Sequence, residues 1–201
     1  MEAKLQQVVS QFDVQGTVVD VRPLGNGLIN TTYKVETEGD APNYVLQNVN
    51  NAIFPDVEML MDNIVTVTNH IRAKYEAAGM TDVERRVLRF VPAKDGKYFH
   101  FDGEKYWRVM VFIPDTVSQT AVTPESSYIV GETFGNFQAM LADVPTELGE
   151  TIKDFHNTPV RFANLMKAIE KDPLGRVASV KSEIDFVLAR EEFCKTLENA
   201  R

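Results

Sequence analysis

The chain has almost no sulfur chemistry to offer. Cys194 is its only cysteine, so no intrachain disulfide can form and a thiolate metal cluster is excluded. It stands between Phe186-Val187-Leu188, Phe193 and Leu197, a setting that predicts a buried structural thiol rather than a nucleophile. Histidine is nearly as scarce: His70, His100 and His156 lie far apart without metal-ligand spacing, and no protein-held zinc is expected. Positive charge is also short. The 21 Lys and Arg face 29 Asp and Glu for a formal net charge of −8, which argues against nucleic acid, since phosphate backbones demand clustered Lys and Arg. No apolar run is long enough to span a bilayer, and Met1-Glu2-Ala3-Lys4-Leu5-Gln6-Gln7 lacks the apolar core of a signal peptide. A cytoplasmic protein without a membrane partner is the expectation.

What is present is ordinary globular material. At 201 residues the chain can bury a substantial core as one large domain or two small lobes. Its most informative stretch is Leu24-Gly25-Asn26-Gly27-Leu28-Ile29-Asn30-Thr31-Thr32-Tyr33. Residues 17–21 are rich in β-branched side chains and 31–37 alternate apolar with polar, so the stretch reads as strand, glycine turn, strand. Two glycines flanking one residue allow a sharp turn and a close approach of main-chain N–H groups to a phosphate. An ordinary β-hairpin fits the same residues.

A coarse pass predicts a short amphipathic N-terminal helix, strands at 17–24, 30–37 and 44–49, and a long helix from Asp56 to Ala78 with Gly79 just past its end. Strands at Arg86 to Val91 and Tyr106 to Ile113 follow, with a short hairpin strand at Tyr98 to Phe101. Beyond Pro114 the helical period takes over, with helices predicted from Pro124 to Leu141, Arg161 to Glu170 and Lys181 to Asn199. A β-rich first part and a helical second part suggest two lobes joined near Phe112 to Thr116.

Several ordered phrases then carry a family resemblance. Gly-Asn-Gly-Leu-Ile-Asn-Thr-Thr-Tyr (25–33), Tyr-Val-Leu-Gln-Asn-Val-Asn (44–50), Ile-Phe-Pro-Asp-Val-Glu (53–58), Gly-Asn-Phe-Gln-Ala-Met-Leu (135–141) and Thr-Ile-Lys-Asp-Phe-His-Asn-Thr-Pro-Val-Arg (151–161) resemble the aminoglycoside-phosphotransferase superfamily, and within it the N-acetylhexosamine 1-kinase branch. The resemblance implies an α+β, protein-kinase-like fold. It would have a five-stranded antiparallel N-terminal nucleotide-binding lobe with one long helix (1–113) and an incomplete helical C-terminal lobe (114–201). It also implies ATP and Mg²⁺ as cofactors and a small-molecule acceptor, a sugar first, with an aminoglycoside, choline, homoserine or methylthioribose as alternatives. The family's catalytic loop with a His-x-Asp core and its later metal-binding acid have no match in the sequence. No catalytic residue is therefore assigned, these 201 residues alone are expected to be inactive, and a fragment of a longer kinase is the expected explanation. A non-catalytic nucleotide- or partner-binding module is the alternative from another class.

On the same resemblance, Gly25, Asn26 and Gly27 would cover the nucleotide phosphates, with Asn30 and Thr31 lending side-chain donors. Gln47 occupies the third-strand position where kinases carry a phosphate-binding lysine. It can donate a hydrogen bond but brings no charge, so electrostatic help would come from Arg108, Mg²⁺ or residues elsewhere. Glu58 is either the counterpart of the helix glutamate that holds that lysine or a first-turn carboxylate favoured by the helix dipole. Val111, Phe112 and Ile113 would form the connector offering backbone groups to adenine. Leu28 stands where relatives carry a histidine near the sugar. His156 reads as structural or rim, and Arg85, Arg86 and Arg89 as a solvated strand edge.

Overall fold

The computed structural model describes residues 2–25, 27–117 and 121–200. Helix α1 (Glu2–Val9) precedes an antiparallel meander of β1 (Val18–Pro23), β2 (Thr31–Thr37) and β3 (Tyr44–Val49). Helix α2 (Val57–Ala77) follows, then the single turn α3 (Val83–Arg86), β4 (Phe90–Val91), β5 (His100–Phe101) and β6 (Tyr106–Val111). The sheet runs in the order β1-β2-β3-β6-β4, with β5 paired to β6. The kinase-like α+β expectation therefore meets six strands where five were expected, because the hairpin strand β5 joins the sheet.

Alternation along the central strands explains why both faces of the sheet are covered. Val35, Leu46, Trp107 and Val109 point to one side, where Leu5, Val8, Val9 and Phe12 of the N-terminal segment close over them. Val49, Phe90 and Met110 point to the other, where α2 lays down Val57 and Met61. At about 25 cal/mol per Å² of apolar surface, these two layers supply the main stabilisation of the unit. Helix α2 keeps its predicted limits because its ends are specified locally: Asp56 accepts the N–H of Met59 at 2.9 Å, and Gly79 takes φ +73° just past the end.

Two predicted elements come out differently. Residues 86–91 are not one strand, because Asp82 draws Arg86 into an i,i+4 ion pair at 2.8 Å and winds the helical turn α3, leaving only Phe90–Val91 to pair with β6. Arg85, Arg86 and Arg89 thus sit on and after a helical turn rather than on a strand edge. The helix predicted from Lys181 to Asn199 stops early, and α6 spans Lys181–Leu188. There Arg190 lies 3.6 Å over the Phe186 ring and donates to the Phe186 carbonyl at 2.9 Å, capping the helix end. Tighter turns follow at Glu191–Lys195 and Glu198–Ala200.

Helix α4 (Pro124–Leu141) opens on a capping box in which Thr123 and Ser126 exchange hydrogen bonds. Its C-terminal end is held by α2: Lys74 donates to the Met140 carbonyl at 2.8 Å and pairs with Asp143, whose carboxylate also lies 3.0 Å from His70 Nε2. Cationic donors at a helix C-terminus satisfy carbonyls that the helix leaves open. Compact packing divides the chain into Met1–Thr151 and Ile152–Arg201. Helix α4 goes with the first unit because of these contacts to α2, so the division falls later than the change from strand to helix near residue 113. The second unit holds α5 (Thr158–Lys171) and α6.

Candidate functional site

The glycine loop links the end of β1 to the start of β2, whose backbones are bonded across its base. The Leu24 N–H reaches the Thr32 carbonyl at 2.9 Å, and Gly25 adopts φ +69°, a region L side chains rarely enter. Gly27 is required for a different reason: a Cβ there would lie 2.8 Å from the Asn30 carbonyl oxygen, inside contact distance of fixed backbone. Asn26 lies outside the described residues. Asn30 is used structurally, its Oδ1 accepting the Asn50 N–H at 2.9 Å and tying the loop to the chain beyond β3. Among the described residues its amide N–H groups have no acceptor. Leu28 at the tip is fully exposed.

One rung inside the sheet from that loop lies a polar row on the face covered by α2. The register pairs Thr32 with Gln47 and Gln47 with Arg108. Gln47 Oε1 accepts from both Nε (2.9 Å) and Nη2 (2.6 Å) of Arg108, while Gln47 Nε2 donates to Thr32 Oγ1 at 2.9 Å. The opposite amide orientation would set an NH₂ against a guanidinium, so the row has a single sense. Arg108 also lies 5.6 Å from the Phe90 ring centroid, with Nη1 3.6 Å from Met61 Sδ. Burial pushes its pKa down to about 10, which still leaves the side chain charged at neutral pH.

Thr31, the donor expected from the sequence, is not in this row. It pairs with Asn48 and is exposed, whereas its neighbour Thr32 shares the face of Gln47. Period-two alternation through Thr32, Lys34 and Glu36 was the signal that could have singled out Thr32. Lys34 lies on the same face, but its charge is taken by Glu36 at 2.8 Å, with Phe112 under its ammonium at 4.9 Å.

The connector is partly committed to the fold. The Val111 N–H goes to the Arg89 carbonyl and the Phe112 N–H to the Asn43 carbonyl, both at 2.9 Å. Arg85 donates to the Pro114 carbonyl at 3.1 Å and fixes the end of the segment, where Asp115 takes φ +55°. Among the described residues nothing bonds the Ile113 N–H, so it and the carbonyls are the groups left for a ligand.

Glu58 takes the second of its two readings. It is exposed and ion-paired with Lys97 at 2.8 Å, beside a surface depression lined by Phe99 and Tyr106, and it makes no contact with Gln47 or Arg108. The α2 residue that does meet this row is Met61. His156 packs edge-on against Phe155 at 4.4 Å. Cys194 is only half-buried, not the buried thiol expected, with Sγ directed at the Arg190 carbonyl in a turn after α6. Among the described residues no group of three or more His, Cys, Asp or Glu gathers where a metal could sit, and no helix is long and apolar enough to cross a membrane.

No family model matches the sequence. The fold is similar to the crystal structure of spectinomycin phosphotransferase, APH(9)-Ia, in complex with ADP and spectinomycin, with a TM-score of 0.50 at 12% sequence identity. The match covers 92% of this chain and 56% of that one, so the chain spans a little over half the length of that phosphotransferase. At this identity the likeness shows a shared fold and nothing finer.

Proposed function

We propose that this chain is the nucleotide-binding part of an ATP-dependent small-molecule kinase that moves the γ-phosphate to a sugar hydroxyl, after the manner of N-acetylhexosamine 1-kinases. The observation that carries the proposal is the row Thr32, Gln47, Arg108, set one rung from a glycine loop, in a fold similar to a phosphotransferase crystallised with ADP. In this reading residues 1–113 form the nucleotide lobe and 114–201 begin a helical lobe. Gly25, Asn26 and Gly27 cover the phosphates through N–H groups, with Asn30 and Thr31 at the mouth. Gln47 faces the nucleotide, and Val111, Phe112 and Ile113 border the adenine. In the reaction the acceptor oxygen attacks the γ-phosphorus, the bond to the β-phosphate oxygen breaks, and ADP leaves.

The base that takes the acceptor proton would lie outside these 201 residues. Mg²⁺, when bound, neutralises phosphate oxygens and would arrive on the nucleotide, with protein ligands supplied from outside the described residues. The expected setting is the cytoplasm, with neither nucleic acid nor membrane as partner. The sugar acceptor follows from the resemblance of the whole set of phrases, from which Leu28 departs, while the ligands of the structural neighbour keep an aminoglycoside as the second choice.

Calorimetric titration of the chain with ADP and with Mg²⁺-ATP tests the proposal, with binding expected and no phosphate transfer by these residues alone. Gly27→Val should abolish the binding, because its Cβ collides with the loop's own backbone. Unchanged binding would remove the loop from the site. A partner-binding module would bind neither nucleotide.

A further inference from the structure

Arg108 is a cation held in place without an anion. Among the described residues no carboxylate pairs with it, although the chain carries an excess of acids and Lys34 and Lys97 each have one. A guanidinium removed from water costs free energy that a carboxylate partner ordinarily offsets. The fork is instead pinned by a neutral amide oxygen, with Nε and Nη2 converging on Gln47 Oε1. Of its five N–H groups, two go to Gln47 and one points at Met61 Sδ, so among the described residues two are left without an acceptor. The Gln47 amide donates in turn to Thr32 Oγ1, so the Thr32 hydroxyl hydrogen is free to point outward.

From this geometry we infer that Arg108 is the phosphate-binding cation of the site, recognising the α- and β-phosphates of a nucleoside diphosphate, and that Gln47 is the positioning residue that holds its fork. The inference rests on the nucleotide reading above and assigns its charge to strand β6 rather than β3. A carboxylate at position 47 or on α2 would neutralise the guanidinium. An amide fixes it while leaving its charge for the ligand, and α2 supplies Met61 where a glutamate would compete. Thr32 adds a neutral donor to the same row.

The test compares ADP with adenosine by titration calorimetry on the 201-residue chain, because only ADP carries phosphate. Arg108→Gln should weaken ADP at least about tenfold and leave adenosine unchanged, as loss of a charge-assisted hydrogen bond predicts. Gln47→Glu guards against a misfolded variant, since it keeps the side-chain shape and gives Arg108 an ion pair. It should raise the melting temperature and still weaken ADP by a similar factor. Binding of ADP by Gln47→Glu at the wild-type affinity overturns the inference, and so does an equal loss of ADP and adenosine in Arg108→Gln. Those outcomes leave the nucleotide reading standing. A wild-type chain that binds neither ligand defeats both.

Discussion

Arg108 and Asp102 are both charges largely withdrawn from water, and their surroundings separate a binding role from a structural one. Burial by itself would raise the Asp102 pKa. The N–H groups of Lys105 and Glu104 and the Trp107 indole, aided by Lys4, hold the carboxyl well below its ordinary range. Oδ1 is taken by the two N–H groups of the turn and Oδ2 by Trp107 of β6 and Lys4 of α1, so the carboxylate serves the fold. Asp102→Asn should therefore cost about 2 kcal/mol at neutral pH, the scale of hydrogen bonds to a charged group. Because the folded pKa is depressed, this contribution is complete above the unfolded value of about 3.9 and fades as pH falls toward the folded one. Thermal melts of the two proteins should converge below about pH 4, and a gap that stays constant into acid would refute the assignment.

Strand β3 and helix α4 show how differently two apolar segments can be used. Leu46 in the middle of β3 is fully buried between β2 and β6, whereas α4 has no buried residue and leaves Tyr128, Ile129, Phe134 and Phe137 open. Leu46→Ala should cost about 3 kcal/mol, and Phe134→Ala less than about 0.5 kcal/mol, by urea denaturation of this chain. A large loss for Phe134→Ala would mean that the face is covered in solution. Both helices α2 and α4 were legible in the sequence almost to the residue, because Asp56, Thr123 and Pro124 act on their own first turns. The β4 segment was not, because β propensity at 86–91 lost to the ion pair of Asp82 with Arg86. The early stop of α6 was hidden for a similar reason, since Arg190 caps by folding back on Phe186.

Both layers of the sheet core are built from residues no later than Val111, and α4 adds to them only through the α2 contacts. A chain ending at Thr151 should therefore unfold cooperatively and bind ADP as the 201-residue chain does. Loss of either property on removal of 152–201 would show that the first unit lacks part of its own core or site. Read along its length, the sequence determines the order of elements, the glycine loop and the caps of the long helices. Each of these depends on residues within a few positions of one another, where spacing is chemistry. The polar row is of another kind. Thr32, Gln47 and Arg108 are separated by 15 and 61 positions and become one hydrogen-bonded unit only through strand register. Glu58 on α2 and Lys97 in the loop before β5 also meet only in the fold, 39 positions apart, and their pairing takes Glu58 out of the row. Which side chain faces which across a sheet follows from pairing and alternation, and a shift of one residue would have sent Arg108 to the opposite face.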